Sequence, residues 1–156
     1  MAHANEAARQ PAAVVVRPAR DADRGAAEAL LREFKLPLEG VAEHWGDFLV
    51  AEQAGAVVGV IGVERYGDAG LLRSAVTSAR ARGTGVGRAL VEALEARCRA
   101  QGVRELVLLT ETAMDWFPRF GYERVERASV PAAVKGSVEF TTACPASAVT
   151  MRRRLV

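Results

Sequence analysis

The chain has 156 residues, 50% of them hydrophobic, enough for one sizeable core and too few for two. Its 21 Lys and Arg against 19 Asp and Glu leave a formal charge of +2, which excludes the basic field of a dedicated nucleic-acid binder. No apolar run nears the roughly 20 residues of a membrane span, and Cys98 and Cys144 form no CxxC pair and have only His3 and His44 as imidazole companions, so neither a disulfide framework nor a metal site is expected.

Residues 1–13 are Ala-rich and lack the continuous apolar stretch of a secretory signal. They read as a flexible tail before one domain over 14–156, with the cytoplasm as the default location. The β-branched run VVVRPA predicts a strand closed by Pro18. RDADRGAAEALLREF predicts a helix with Asp21 as N-cap and Ala26, Ala29, Leu30 and Phe34 on its apolar side. Pro37 and Gly40 break KLPLEGVAEHWGD into a loop with one helical turn, in which Trp45 reads as packing. FLVAEQ and AVVGVIGVERY, joined at Ala54 and Gly55, predict a hairpin, and GDAG turns the chain into a third strand, LLRSAVT.

A glycine-rich stretch then opens the helix GRALVEALEARCRAQ, which Gly102 stops. Its spacing Val86, Leu90, Leu94, Cys98 puts Cys98 in the core. VRELVLLT predicts a strand covered on both faces. A short helix around TAMDWFPRF, a strand YERVER, a crossing with Pro131 and Pro145, and a last alternating strand follow. The basic run MRRRLV reads as a solvated strand end. This order describes a mixed α/β sheet flanked by helices.

In ARARGTGVGRAL, a strand enters a glycine-rich turn that opens a helix. Such a turn aims unpaired N–H groups at one point, with the positive end of the helix dipole behind them. From the glycines alone, an anion site and a ligand-free tight turn fit equally well. Spacing removes two competitors: no lysine supplies a Walker loop, and GxGxxG fails because Arg88 or Leu90 falls at its last position.

Arg82, Gly85 and Gly87 resemble the Arg/Gln-x-x-Gly-x-Gly/Ala loop of the GNAT acetyltransferases, and WFPRFGY resembles that family's aromatic-x-x-x-Gly-Phe/Tyr element. The resemblance runs from about residue 14 onward. More narrowly, LLRSAVTSARARGTGVGRAL, LLTETAMDWFPRFGY and VPAAVKGSVEFTTACPASAVTM are similar to the arsenic-resistance N-acetyltransferase branch and to single-domain amino-acid N-acetyltransferases. It implies a GNAT fold, α/β, with a mostly antiparallel central sheet splayed at an acetyl-CoA site. Acetyl-CoA would be the co-substrate, with no metal, and a small-molecule amine the acceptor. No nucleic-acid or membrane partner is implied, and a homodimer through the sheet or the C-terminal strand is a reasonable expectation.

By the same resemblance, the backbone of Arg82, Gly83, Thr84, Gly85, Val86, Gly87 and Arg88 would hold the pyrophosphate. A bulge in LLRSAVT would bring Ala75, Val76 and Thr77 to the pantetheine and thioester. Two departures matter: Thr77 and Ala79 stand where the family has a bulky residue and a proline, and Phe117 stands where it often has the tyrosine acid. Solvent or a hydroxyl such as Thr110 or Thr112 would then protonate the thiolate, a good leaving group.

The candidate bases are Glu64 and Glu111, each of which also reads as a solvent-facing strand residue, with Tyr66 on the face of Glu64. Arg73 interrupts an apolar strand and either holds a substrate carboxylate, with Ser74 helping to orient the ligand, or pairs with Glu64. Cys144 is a lone thiol, unsuited to trapping trivalent arsenic by itself. An acetyltransferase for a small amino-acid-like amine leads these readings; a silent acyl-CoA-binding regulatory module and a protein or peptide acetyltransferase are the alternatives.

Overall fold

The computed structural model describes residues 13–155, so all but Ala13 of the expected tail lies outside the described residues. Strands β1 (Val14–Pro18), β2 (Phe48–Gln53), β3 (Ala56–Tyr66) and β4 (Ala69–Thr77) form an antiparallel run. Between β2 and β3, Ala54 at φ 51° and Gly55 at φ 79° make the two-residue turn that matches strand twist. β4 then pairs in parallel with β5 (Glu105–Thr110), β5 antiparallel with β7 (Val149–Arg154), and β7 with β6 (Glu123–Arg124). The sheet order is β1-β2-β3-β4-β5-β7-β6.

Alternation of side chains along the strands divides the apolar residues between two layers. On one face Leu49, Ala51, Ile61, Val63 and Leu72 meet Leu90, Leu94 and Cys98 of helix α3 (Val86–Ala100). On the other, Phe48, Val50, Val60 and Val76 meet Ala27 and Leu31 of α1 (Arg24–Glu33) and Val41 of α2 (Val41–His44). Trp45 packs in this second layer, against Phe48. A smaller cluster seats Val134 of α4 (Ala132–Lys135) on Leu71 and Val107. Cys98 is fully buried, and burial pushes its thiol up to about 11. Among the described residues, no helix is long and apolar enough to cross a membrane.

Several boundaries differ from expectation. A 3-10 turn over Asp21–Asp23 delays α1 to Arg24, so Ala27 and Leu31 are buried while Ala26 and Ala29 face solvent. Asp23, not Asp21, holds this end: its carboxylate accepts from the Arg20 amide at 2.7 Å and from both terminal nitrogens of Arg17 at 2.7 and 3.0 Å. The turn before β4 is confined to Gly67 and Asp68, with Ala69 and Gly70 already paired. YERVER shrinks to Glu123–Arg124 because Tyr122 turns into the core.

β7 lies between β5 and β6, with β6 pairing at Met151 and Arg152, and β1 and β6 are the outermost strands of the sheet. The basic run is also not merely solvated. Arg153 pairs with Glu95 of α3 at 2.9 Å and donates to the Phe120 carbonyl, while the Tyr122 hydroxyl donates to the same buried Glu95 at 3.0 Å.

Hydrogen bonds from Arg17 hold the Asp23 carboxyl below its ordinary range. A depressed carboxylate pKa contributes stability above the unfolded value, near 3.9, and loses it as pH falls through the folded one. Asp23→Asn is expected to lose about 1–3 kcal/mol in urea unfolding at pH 7, with the gap to wild type closing at acid pH.

Candidate active site

β4 and β5 pair only over Ala69–Leu71 and Glu105–Val107, after which both strands continue apart. Just beyond the last pair, β4 carries an extra residue. Val60 faces Val76 and Gly62 faces Arg73, so Ile61 alone opposes Ser74 and Ala75. Ser74 sits at φ 59°, a conformation costly for a side-chain-bearing residue and typical of a bulge. The bulge and splay leave β4 backbone groups unclaimed by β5 and open the sheet in its middle.

Two cavities meet at that opening. The first, of about 620 Å³, is lined by Ala75, Val76 and Thr77 of β4 and by Arg82, Gly83, Gly85, Val86, Gly87 and Arg88 of the loop. Gly83 and Gly85 adopt φ 77° and 86°, the left-handed turn that a Cβ resists. The first helical bond runs from the Ala89 amide to Gly85 O at 3.0 Å, leaving the amides of Val86, Gly87 and Arg88 free to point at an anion. A Cβ on Gly87 would lie 3.0 Å from Trp116, so glycine there lets the aromatic turn close on the helix. Thr84 caps the loop through its hydroxyl to the Ala81 carbonyl. Arg82 and Arg88 lie over the rings of Phe34 and Phe120 at 4.7 and 5.0 Å, which holds two cations beside the free amides.

The second cavity, of about 550 Å³, is lined by Arg73, Ser74, Thr110, Glu111, Glu139 and Cys144, among others. It shares Ala75, Thr112, Ala113 and Phe117 with the first. Phe117 is buried against Trp116 and Tyr122, with Pro118 in the first turn of its 3-10 helix, where a proline is tolerated. Thr110 accepts the Ala113 amide at 2.9 Å and fixes the bend after β5. Glu111 is exposed at the cavity edge.

Behind this cavity lies a buried charge network. Arg73, its side chain fully buried, donates from Nη1 to Glu64 at 2.6 Å, from Nη2 to the Pro37 carbonyl at 3.2 Å and from Nε to Ser74 Oγ at 3.1 Å. Its Nε also lies 3.4 Å from Glu139. The Tyr66 hydroxyl donates to Glu64 at 2.5 Å, and His44 Nε2 stands 3.7 Å away. Gly40 lies over the pair so closely that a Cβ would come within 2.6 Å of Arg73 Nη1.

Glu64 and Tyr66, expected as a base and a substrate contact, belong to this network. Neither lines either cavity. Burial opposes ionisation of Glu64, but bonds from Tyr66, Ser137 and Arg73 outweigh it and lower its pKa, which makes it a weaker base. Burial and the Glu64 carboxylate push Tyr66 up to about 12. Arg73 lines the cavity but is committed to internal partners, with Glu64 the closest.

Glu139 is the residue that sequence reasoning missed. It opens a wide helical turn, Glu139–Ala143, closed by the Cys144 amide on the Glu139 carbonyl at 3.2 Å, within what reads in sequence as a featureless crossing. Its carboxyl accepts from the Cys144 thiol at 3.7 Å. The available signal was a single acid five positions before a cysteine in EFTTAC.

Residues 44–124 match the acetyltransferase (GNAT) domain family. An uncharacterised N-acetyltransferase of Chlorobaculum tepidum, CT2212, is 33% identical over 124 residues, or 74% of this chain and 79% of that protein. Among solved structures, Rv2747 from Mycobacterium tuberculosis in complex with CoA and NLQ matches with TM-score 0.78 and 26% identity over 91% of this chain and 99% of that one. N-acetylglutamate synthase from Neisseria gonorrhoeae, complexed with coenzyme A and N-acetyl-glutamate, matches in fold with TM-score 0.80 and 22% identity; it covers 94% of this chain, which spans only 36% of the synthase. The chain belongs to the GNAT acetyltransferase family and is an acetyl-CoA-dependent N-acetyltransferase of that type.

Removing Arg73 strands two buried carboxylates. Arg73→Ala is therefore expected to cost about 3–5 kcal/mol in denaturant unfolding, more than a substrate contact alone would explain.

Proposed function

We propose that this enzyme transfers the acetyl group of acetyl-CoA to the primary amine of a small, amino-acid-like acceptor. The observation that carries the reading is the meeting of the two cavities at Ala75, Thr112, Ala113 and Phe117, one fronted by the glycine loop and the other backed by buried charge. Donor and acceptor entering from opposite sides would bring the thioester carbon and the amine together there without a covalent enzyme intermediate. Bound CoA in Rv2747 and in the N. gonorrhoeae synthase, and N-acetyl-glutamate in the latter, support the same division.

In this reading the free amides and arginines of the loop hold the pyrophosphate. The unclaimed edge of β4 offers backbone partners to the pantetheine amides, as an added strand would use them. At the bulge, the backbone amides of Ala75 and Val76 are the candidates to stabilise the oxyanion as the amine attacks; preorganised donors of this kind carry large catalytic terms. The C–S bond then breaks and the thiolate leaves. Phe117 has no proton to give, so water or Thr112 protonates it, Thr112 being the one hydroxyl among the described residues that lines both cavities.

A small acceptor fits the second cavity because the loop around Pro37 and the crossing around Cys144 and Pro145 wall it in. Ser74 on its floor suits a polar acceptor head, while Glu111 stands at its edge. Likeness to the arsenic-resistance branch adds amino-acid-like organoarsenicals to the acceptors worth trying.

The test is free-thiol release from acetyl-CoA with a panel of amino acids, amino-acid analogues and short peptides. Release with free amino acids and not with peptides is expected. Release with peptides alone would move the acceptor class, and tight CoA binding without release would return the chain to the silent-module alternative. Gly85→Val, which places a β-branched residue at φ 86°, should raise KM for acetyl-CoA by about tenfold, since left-handed strain costs roughly 1–2 kcal/mol.

A further inference from the structure

We propose that Glu139 is the general base that takes the proton from the acceptor amine, an assignment that rests on the acetyl-transfer reading above. Three carboxylates surround the second cavity or its floor. Glu64 is saturated by Arg73 and Tyr66 and does not line the cavity. Glu111 lines it but is exposed, where water competes for any proton. Glu139 lines it, is only 3% exposed, and shares it with Ala75 of the bulge, the proposed thioester contact.

The surroundings tune Glu139 to the task. Arg73 Nε stands 3.4 Å from Glu139 Oε2, yet the shortest bond of that guanidinium, at 2.6 Å, goes to Glu64. Glu139 is thus a carboxylate beside a cation that is already neutralised. The Ser137 hydroxyl accepts the Glu139 amide at 3.1 Å and anchors the turn from which the side chain projects. Besides Arg73 and Glu64, the charged or titratable groups facing it are Glu39 from the loop before α2 and the Cys144 thiol, with Lys35 and Glu111 on the same cavity wall.

Burial pushes the Glu139 carboxyl up to about 7; Arg73 and Cys144 draw it down, and the Glu64 and Glu39 charges raise it. A base with a pKa near the working pH is both ionised and strong enough to accept from an ammonium. The proton balance closes. The acceptor ammonium gives one proton to the ionised Glu139 and becomes a nucleophile. Its lone pair forms the N–C bond, and collapse of the tetrahedral intermediate breaks C–S. The second amine proton replaces the one that water or Thr112 gives to the thiolate, and Glu139 returns its own to water.

The experiment measures kcat and the pH profile of kcat/KM by thiol release for wild type, Glu139→Gln and Cys144→Ala, with melting temperature and CoA binding as checks on folding. Rate carried by the ionised form rises with pH through the Glu139 pKa, so wild type should show an acidic limb near 7. Glu139→Gln should lose on the order of 10²- to 10⁴-fold in kcat and lose that limb, leaving only the ionisation of the acceptor amine, while CoA binding is unchanged. Cys144→Ala removes a bond to the carboxylate and should move the limb to higher pH. No release by wild type with any amine overturns the activity and this assignment with it. Release by wild type, with a Glu139→Gln variant that keeps its rate and limb, overturns the assignment alone. Should Glu139→Gln not fold, an unmoved limb in Cys144→Ala overturns it.

Discussion

An antiparallel ladder accommodates one residue too many only by bending the strand that carries it. Here the surplus is Ser74 or Ala75, opposite the single Ile61, and it falls just after β4 parts from β5. The rest of the site depends on that misfit. A regular β4 would run on beside β5, claim its backbone groups and fill the space in which the two cavities meet. The left-handed Ser74 is thus local strain held in place by the meander on one side and by the Arg73–Ser74 hydrogen bond on the other.

The buried network behind the second cavity follows from the same bend. The residue before the bulge is Arg73, directed into the interior where an apolar side chain would otherwise pack. A cation there requires anions, and β3 and the late crossing supply Glu64 and Glu139. The Pro37 carbonyl and the close pass of Gly40 complete the enclosure. Such an arrangement is a poor source of stability in itself. Its consequence is positional: three segments far apart in sequence share one guanidinium, and the cavity they wall keeps its shape.

Local periodicity made most of the fold legible. The hairpin at Ala54 and Gly55, the core spacing through Cys98 and the glycine loop were all readable because each obeys a short-range rule. Asp21 and Ala26 misled because a 3-10 turn shifts the start of α1, and no pattern within that helix reveals a delayed start. Of the candidate site, the loop geometry was legible, since free backbone amides at a helix start are announced by glycine. The acceptor side was not. Whether Glu64 faces solvent or Arg73 depends on register across β3 and β4, and Glu139 joins them only through a chain reversal some seventy residues later in sequence.

The enclosed position of β7 has a bearing on how the chain is made. β5 acquires its antiparallel neighbour only from residues 149–154, and Glu95 and Tyr122 wait on Arg153 from the same strand. During synthesis the glycine loop and α3 emerge some fifty residues before the strand that completes the sheet beneath them. The nascent chain therefore carries an unpaired β5 edge from residue 110 to residue 149, a window in which chaperones or mispairing strands compete with native closure.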